Sequence, residues 1–363
     1  LETLSPERFS DPKRDPILMI SFAQDGKQRV LSHSKKFRAS FVQSFAGERD
    51  MIEGFIRLVK KSGIDIIATY NGDLFDFPYI KERANKLGLR LNIASDDSEP
   101  KAMKKGRDIA VKLNGMQHLD AYQMLRFLSR FGVVSLVKFD LESVVESLFR
   151  QKKEKLSAEQ INAAWQKDKG LDELAAYCKE DAESTLRISR QYMPLLVELC
   201  KMVKQSLFEV SRSSASMLVE YLIMNKCRKA GILIANKPQD AEVRQRLLQT
   251  YKGGYVKEPM PGLHENLAVL DFSSLHPTIM ISHNISPDTV NCRHKECKEK
   301  NSAPTKHWFC TKKEGLLSSI LKELFERRMK IKKQMKQAEK GSAKAVLLNA
   351  RQHALKILLN SFY

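Results

Sequence analysis

Four residues in the first half of the chain have the types and spacing to do metal-assisted chemistry. Glu2 lies in LETLSP, Asp76 in NGDLFDFPYI, and Tyr177 and Asp181 in YCKEDA. Asp76 comes a few residues after a strand-like run and sits between Phe75 and Phe77, a setting that is costly for a carboxylate without a partner. A cation is the obvious partner. Tyr177 and Asp181 are i and i+4, so on a helix they share a face and address the same substrate. Taken singly, each acid is better read as a solvated side chain or a helix cap. Brought together from separate elements, they suit two-metal phosphodiester cleavage. Mg²⁺ or Mn²⁺ takes carboxylate oxygens, one ion generating hydroxide and the other stabilising the leaving oxygen.

A second constellation lies further along. Asp271 follows the apolar run NLAVL, which reads as a short buried strand ending on a carboxylate, and DFSSLHP comes next. Upstream, KGGYVKEP places Gly253 and Gly254 where a backbone must turn or approach something closely. Near the end, Arg328 and Lys332 are i and i+4, and Gln352, Lys356 and Asn360 form a stripe on another helical segment. Charge runs on helices are usually solvated faces. Cations from two facing helices can also clamp a triphosphate.

These residues need a mixed α/β (α+β) frame, and residues 1 to about 190 alternate strand-like and helix-like segments. PILMISFA and QRVLSH, joined around Asp25-Gly26, predict a β-hairpin. GIDIIATY predicts a strand that breaks at Asn71-Gly72, followed by a helix from Phe75 to Leu87 capped by Gly88. A helix is expected from Leu171 to Arg190, with Pro194 just beyond it, and helical structure again from 196 to near Gly231. Last come two helices, about 316–337 with Leu317, Ile320, Leu321, Leu324, Ile331 and Met335 inward, and about 342–359, forming an antiparallel hairpin.

The 363 residues are enough for two or three domains, and 42% hydrophobic content fills ordinary cores. A net charge of +19 points to a polyanionic partner bound by counterion release. From Thr311 to Tyr363 there are 13 Lys/Arg and 4 Asp/Glu, so +9 of that excess is concentrated there. No apolar run has the length of a membrane span and no signal-peptide pattern opens the chain, so an intracellular, cytoplasmic and nucleoid-associated location is expected.

Glu2-Thr3, Asn71-x3-Phe75-Asp76 and Tyr177-x3-Asp181 resemble the three exonuclease motifs of family B DNA polymerases. The resemblance implies an RNase H-like 3′-5′ exonuclease fold over residues 1–190, with Glu2, Asp76 and Asp181 as metal ligands and Tyr177 orienting the attacking water. The family's first motif reads Asp-x-Glu-Thr and this chain begins after its Asp, which implies one ligand fewer and an inactive exonuclease in the chain alone.

Tyr251, Gly253, Gly254 and Tyr255 match the family's Y-x-G-G segment, which touches the template strand. DFSSLHP resembles the first polymerase motif, implying that Asp271 binds both catalytic Mg²⁺ ions and that Phe272, Ser273, Ser274, Leu275 and His276 cradle the incoming nucleotide. The family usually carries Tyr where His276 stands, with a ring that excludes a ribose 2′-hydroxyl. KILLNSFY resembles the second polymerase motif and implies phosphate contacts from Arg328, Lys332 and Lys356, with Asn360 close to the nucleotide; Arg351 is on another face.

The resemblance is nearest to the archaeal branch and covers the whole chain. It implies that residues 191–310 link to and begin the palm and that 311–363 form the fingers. It further implies two Mg²⁺ ions per active site (or Mn²⁺), primer-template DNA and dNTPs as substrates, and a sliding clamp bound through regions absent from the chain. The Asp-x-Asp motif that supplies the remaining polymerase carboxylate is absent too, so the chain reads as an incomplete polymerase, inactive alone. The alternatives are a nuclease with a degenerate polymerase half and a non-catalytic DNA-binding half of a split polymerase.

Six cysteines in an intracellular chain of this length do not suggest a disulfide framework, and Cys178, Cys200 and Cys227 fall in helical stretches as small apolar residues. Cys292, Cys297 and Cys310 differ, lying with His294 and His307 in NCRHKECKEKNSAPTKHWFC. Three states stay open for them: a zinc site, a Cys297–Cys310 disulfide of the kind archaeal relatives make plausible, and free thiols.

Overall fold

The computed structural model describes all residues except 5–8, 106–107, 154–155, 235, 237, 249–252, 273 and 363. The chain divides into two compact units, residues 1–218 with 328–358 and residues 219–327 with 359–363.

The first unit is built on a four-stranded sheet in chain order, Glu2–Thr3, Ile17–Gln24, Lys27–His33 and Val42–Phe45. The first three strands pair antiparallel and the last pair is parallel. The expected hairpin is present: Asp25 and Gly26 both adopt left-handed φ, 44° and 78°, and close a two-residue turn. Ile17, Leu18, Met19 and Ile20 are at most 2% exposed, because helices cover the strand on both sides. One core gathers Ile17, Ile20 and Leu31 with Met51, Ile52 and Ile56 of the helix Glu48–Lys61. The other gathers Leu18, Met19 and Val30 with Leu171, Leu174, Ala175 and Cys178, which share one face of a long helix by their spacing.

That long helix runs from Leu171 to Val203, through Pro194, rather than ending near Arg190 as expected. Proline removes one backbone bond at a cost of about 3 kcal/mol. Ile188 precedes it and Leu195, Leu196, Leu199 and Val203 follow it as buried side chains, so packing holds the helix through the defect.

A parallel pair, Ile66–Thr69 and Gln117–Asp120, carries the loop of interest. Asp120 Oδ1 accepts from Asn71 N at 3.1 Å and Oδ2 from Asp73 N at 2.9 Å. Asp120 also caps the helix Ala121–Arg130, accepting from Tyr122 N and Gln123 N. Asp73 in turn accepts from Val111 N at 2.7 Å and takes Arg212 through Nε at 2.8 Å and Nη2 at 3.1 Å. His118 Nδ1 lies 3.3 Å from the same carboxylate, and its Nε2 meets Thr69 Oγ1 at 2.8 Å. A Cβ on Gly72 would run into the Thr69 side chain, so only glycine lets the loop turn this tightly. The helix Asp76–Lys86 then starts, with Gly88 beyond it at φ 71°.

In the second unit the described residues of 253–274 form no strand. Leu267, Val269 and Leu270 are 69%, 86% and 93% exposed, which overturns the expected buried strand before Asp271. A strand needs a neighbour to take its backbone bonds, and none pairs with this run among the described residues. The helix Leu316–Gln337, which begins in this unit, and the helix Ala343–Leu359, which falls in the first unit up to residue 358, form as expected. Ile320, Leu321 and Leu324 are buried, whereas Leu317, Ile331 and Met335 are half-buried. No helix among the described residues is long and apolar enough to cross a membrane.

Burial alone would push the Asp73 carboxyl up, but hydrogen bonds from His118 and Arg212 and the guanidinium charge hold it below its ordinary value. The contribution of Asp73 to stability is therefore present above an ordinary aspartate pKa and lost as pH falls through its lower folded value. Removing its cation with Arg212→Ala strands a buried charge and is expected to cost about 3–5 kcal/mol in urea unfolding at neutral pH. A loss below about 1 kcal/mol would show that the pair does not hold the loop.

Candidate active site

Strand Glu2–Thr3 pairs with the central strand in the register Glu2↔Met19, and this fixes Glu2 beside the buried face of the helix Leu171–Val203. Asp76 is the first residue of its helix, where a carboxylate is favoured by the helix dipole. Tyr177 and Asp181 are one turn apart on the long helix. The fold therefore brings Glu2, Asp76, Asp181 and Tyr177 to one place from separate elements.

The electrostatics record that proximity. Glu2 is pushed up to about 7, first by burial and then by the charges of Asp181 and Asp76, with the Leu1 α-ammonium and Lys153 opposing. Asp181 is raised by burial, with Lys153 pulling it back. Burial and the carboxylates of Asp181, Glu142 and Glu2 hold the Tyr177 hydroxyl protonated far above the ordinary range, and it donates to Glu142 Oε1 at 3.1 Å.

Two of these neighbours carried no sequence signal. Lys153 sits in the charged run QKKEK, which reads as a solvated face, yet its ammonium is fully buried. It is 2.8 Å from Asp181 Oδ1, 3.6 Å from Glu180 and 4.3 Å from the centre of the Tyr177 ring. The Lys153–Asp181 contact is an ion pair by distance, but neither atom makes an aligned hydrogen bond among the described residues. Glu142 was equally hidden, 35 residues from the tyrosine it contacts.

A buried Asp181 oxygen without an aligned donor, beside two further carboxylates that repel it, fits a hard divalent cation. The three acids do not close to within 4.8 Å of one another, whereas Asp73, His118 and Asp120 do. That second group is a poor metal site: Arg212 already supplies its cation and backbone N–H groups fill its oxygens.

The polymerase-like residues are placed unevenly. Asp271 and Phe272 are exposed, and Ser273 lies outside the described residues. Ser274, at φ 57°, begins the helix Leu275–Ser282, whose first turn holds exposed His276. Gly253, Gly254 and Tyr255 are exposed and irregular, and Tyr251 lies outside the described residues. Asn360 is exposed and belongs to this same unit.

Within the other unit, Arg328 and Lys356 both depress His353, whose largest cause is burial, so the three lie together. Arg328 Nε is buried without a hydrogen-bond partner among the described residues. Among the described residues no acid lies within ion-pair distance of Arg328, Lys332 or Lys356. Arg351 is engaged by Glu198 at 3.2 Å, and Gln352 is buried, so the expected polar stripe is exposed only at Lys356 and Asn360.

The family model for the exonuclease domain of DNA polymerase family B matches residues 1–144, and the model for DNA polymerase family B itself matches residues 206–363. The chain belongs to the family B DNA polymerases. DNA polymerase 1 of Pyrococcus abyssi is 41% identical to this polymerase chain over 351 residues, covering 96% of it and 44% of the relative. The DNA polymerase of Pyrococcus glycovorans is 42% identical over 364 residues, covering 100% of the chain and 46% of the relative. The family B DNA polymerase of the hyperthermophilic archaeon Pyrobaculum calidifontis matches the fold with a TM-score of 0.79 at 28% identity, across 100% of this chain and 45% of that one. The polymerase chain thus spans somewhat less than half the length of these relatives. Polymerase and exonuclease domains of this family generally use divalent metals.

A cation at the three acids competes with protons for Glu2. With Glu2 near 7, Mn²⁺ affinity of the chain is expected to rise between about pH 6 and pH 8, because the carboxylate ionises across that interval. Calorimetric titration checks it: Glu2→Gln should weaken binding and flatten the rise. Equal affinity at both pH values in the unaltered chain would exclude Glu2 from the ligand set.

Proposed function

We propose that this chain is the exonuclease, initial palm and fingers portion of a polymerase that adds dNTPs to a primer 3′-hydroxyl and edits the product by 3′-5′ hydrolysis. One observation carries the reading. A single chain holds, in order, an exonuclease match whose acids crowd together and a polymerase match whose cations lack acid partners among the described residues.

In the editing half, Glu2, Asp76 and Asp181 would hold Mg²⁺ or Mn²⁺, which supplies a hydroxide nucleophile and a counter-charge for the leaving oxygen. Tyr177, protonated at any working pH, positions water through its hydroxyl and is too weak an acid to act as base. Lys153 neutralises Asp181 and, by its full burial, keeps solvent from that side of the site. In the synthetic half, Arg328, Lys332 and Lys356 would neutralise the triphosphate, and Asn360 would approach the nucleotide. Backbone N–H groups at the start of the helix Leu275–Ser282 suit an anion as well. Asp271 is one carboxylate, and a two-ion polymerase site needs more, so no catalytic step is assigned to it in this chain alone.

The exposed run from Leu263 to Phe272 supports pairing with further strands of the complete polymerase, which would turn Asp271 toward the site. Primer-template DNA would be held mainly through its phosphates, consistent with the net charge of +19, and a sliding clamp would engage regions outside this chain.

In the complete polymerase, Asp271→Ala is expected to lower primer extension on the order of 10²–10³-fold or more while leaving 3′ resection intact. Asp76→Ala should do the reverse. Normal extension by the Asp271 variant would refute the proposal. Lys356→Ala should raise KM for dNTP by about 10- to 100-fold with little change in DNA affinity, as loss of one charge-assisted contact predicts. Steady-state kinetics at fixed DNA separates the two.

A further inference from the structure

We propose that Cys292, His294, Cys297 and Cys310 form a tetrahedral zinc site that holds together the lobe between the Asp271 segment and the long helix Leu316–Gln337. One ligand atom from each of the four lies within 4.8 Å of all the others. Tetrahedral bonds of about 2.3 Å to sulfur and about 2.0 Å to nitrogen place two sulfurs about 3.8 Å apart and sulfur and nitrogen about 3.5 Å apart. Cys310 Sγ is 3.6 Å from His294 Nδ1. The other pairs need only small shifts to close on an ion.

The surrounding backbone is arranged for thiolates. Thr311 donates its N–H to Cys297 Sγ at 3.3 Å, and its hydroxyl lies 3.3 Å from the same sulfur. Such outer contacts fix a ligand's orientation and stabilise its charge. Cys310 N donates to Thr289 O at 3.0 Å, and Trp308 Nε1 donates to Cys292 O at 2.8 Å, so each ligand strand is anchored from outside the cluster. Cys297 rides on the short helix Lys295–Lys300, and His294 is its N-cap. Cys297 and Cys310 are 0% and 3% exposed, while Cys292 and His294 close the solvent side.

The composition of the lobe supplies the physical need. Between Cys292 and Cys310 the only large apolar side chains are Trp308 and Phe309, against four lysines and one arginine. A segment that small cannot bury enough surface to hold its own fold, and a metal or a disulfide is the usual remedy. All six cysteines are free thiols in the structure. A Cys297–Cys310 disulfide would leave unexplained why Cys292 and His294 converge on the same point; a zinc ion uses all four.

The lobe is also placed to matter. Asn284 Nδ2, just after the helix Leu275–Ser282, donates to Cys310 O at 2.6 Å and Lys313 O at 2.8 Å. Ser318, on the helix Leu316–Gln337, donates to Met280 O and Ile285 O at 3.2 Å each. A metal that fixes Cys310 therefore fixes the spacing between the helix just after Asp271 and the helix that leads to Arg328.

The test uses the whole chain, purified under reducing conditions. Elemental analysis is expected to find one zinc per chain. After chelation under reductant, added Co²⁺ should give the visible bands of a tetrahedral site and a thiolate-to-cobalt charge-transfer band. Cys292→Ser and His294→Ala, which leave Cys297 and Cys310 in place, should each weaken Co²⁺ binding by more than the roughly 10- to 100-fold that losing an outer-shell partner costs. A metal-free chain with all six thiols titratable and no tetrahedral cobalt spectrum would overturn the proposal. So would metal-free protein with two thiols missing from the count, which identifies a disulfide, or full Co²⁺ affinity in both variants.

Discussion

The pairing of Asp73 with Arg212, buried at 1% and 5% side-chain exposure, is the interaction on which the exonuclease half depends. Its partners belong to distant parts of the chain: the loop after the strand Ile66–Thr69, the strand Gln117–Asp120 through His118, and the segment after the long helix through Arg212. Each would be a costly buried group alone, and breaking such a pair is worse than never having built it. Asp120 extends the same logic by satisfying two loop N–H groups and two helix N–H groups at once. The loop is thereby set before Asp76 is reached, and Asp76 takes its position as the next helical residue.

This stable network faces an unstable one. Glu2, Asp76 and Asp181 repel one another, and burial raises Glu2 and Asp181 further. Among the described residues Lys153 offsets the charge. The contrast separates a carboxylate cluster that serves the fold from the one proposed to bind metal. In the first, hydrogen bonds and the Arg212 charge lower Asp73 while burial raises Asp120, and both carboxylates accept from donors; in the second, an Asp181 oxygen has no aligned donor among the described residues and Glu2 climbs to about 7. By distance alone the Asp73–His118–Asp120 group is the tighter of the two.

Much of this was legible in local sequence. Asp25-Gly26 specified its turn by the left-handed φ both residues adopt, and the 171, 174, 175, 178 spacing defined the buried face of the long helix. Asp76, Asp181 and Tyr177 were recognisable because motif residues sit within five positions of each other. Lys153 and Arg212 were not, because what makes them important is a partner 28 or 139 residues away, and each lies in a stretch where a cation normally faces water. Pro194 misled for a related reason: local propensity ends a helix there, and buried side chains on both sides of it overrule propensity. His294 and His307 were both visible beside the cysteines, but only the contacts of Trp308 and Thr289 that bring the two ends of the lobe together show that His294 is the one that joins them.

The Asp271 segment shows the opposite limit of local reading. NLAVL has the composition of a central strand, yet Val269 and Leu270 stand 86% and 93% exposed. Apolar content states a preference for burial and β-branching a preference for extended backbone, but a strand exists only as one side of a ladder. The helix Leu275–Ser282 forms without that ladder because its bonds are internal, and Asn284, Ser286 and Ser318 tie it to the cysteine lobe and the helix Leu316–Gln337. The downstream side of Asp271 is therefore organised while its upstream side is not. A carboxylate at that junction has its direction set by whichever strand pairs with residues 266–270. On the proposed reading, sheet completion and metal positioning at Asp271 are one event, and a lobe that rigidifies the downstream side reduces what that event must still order.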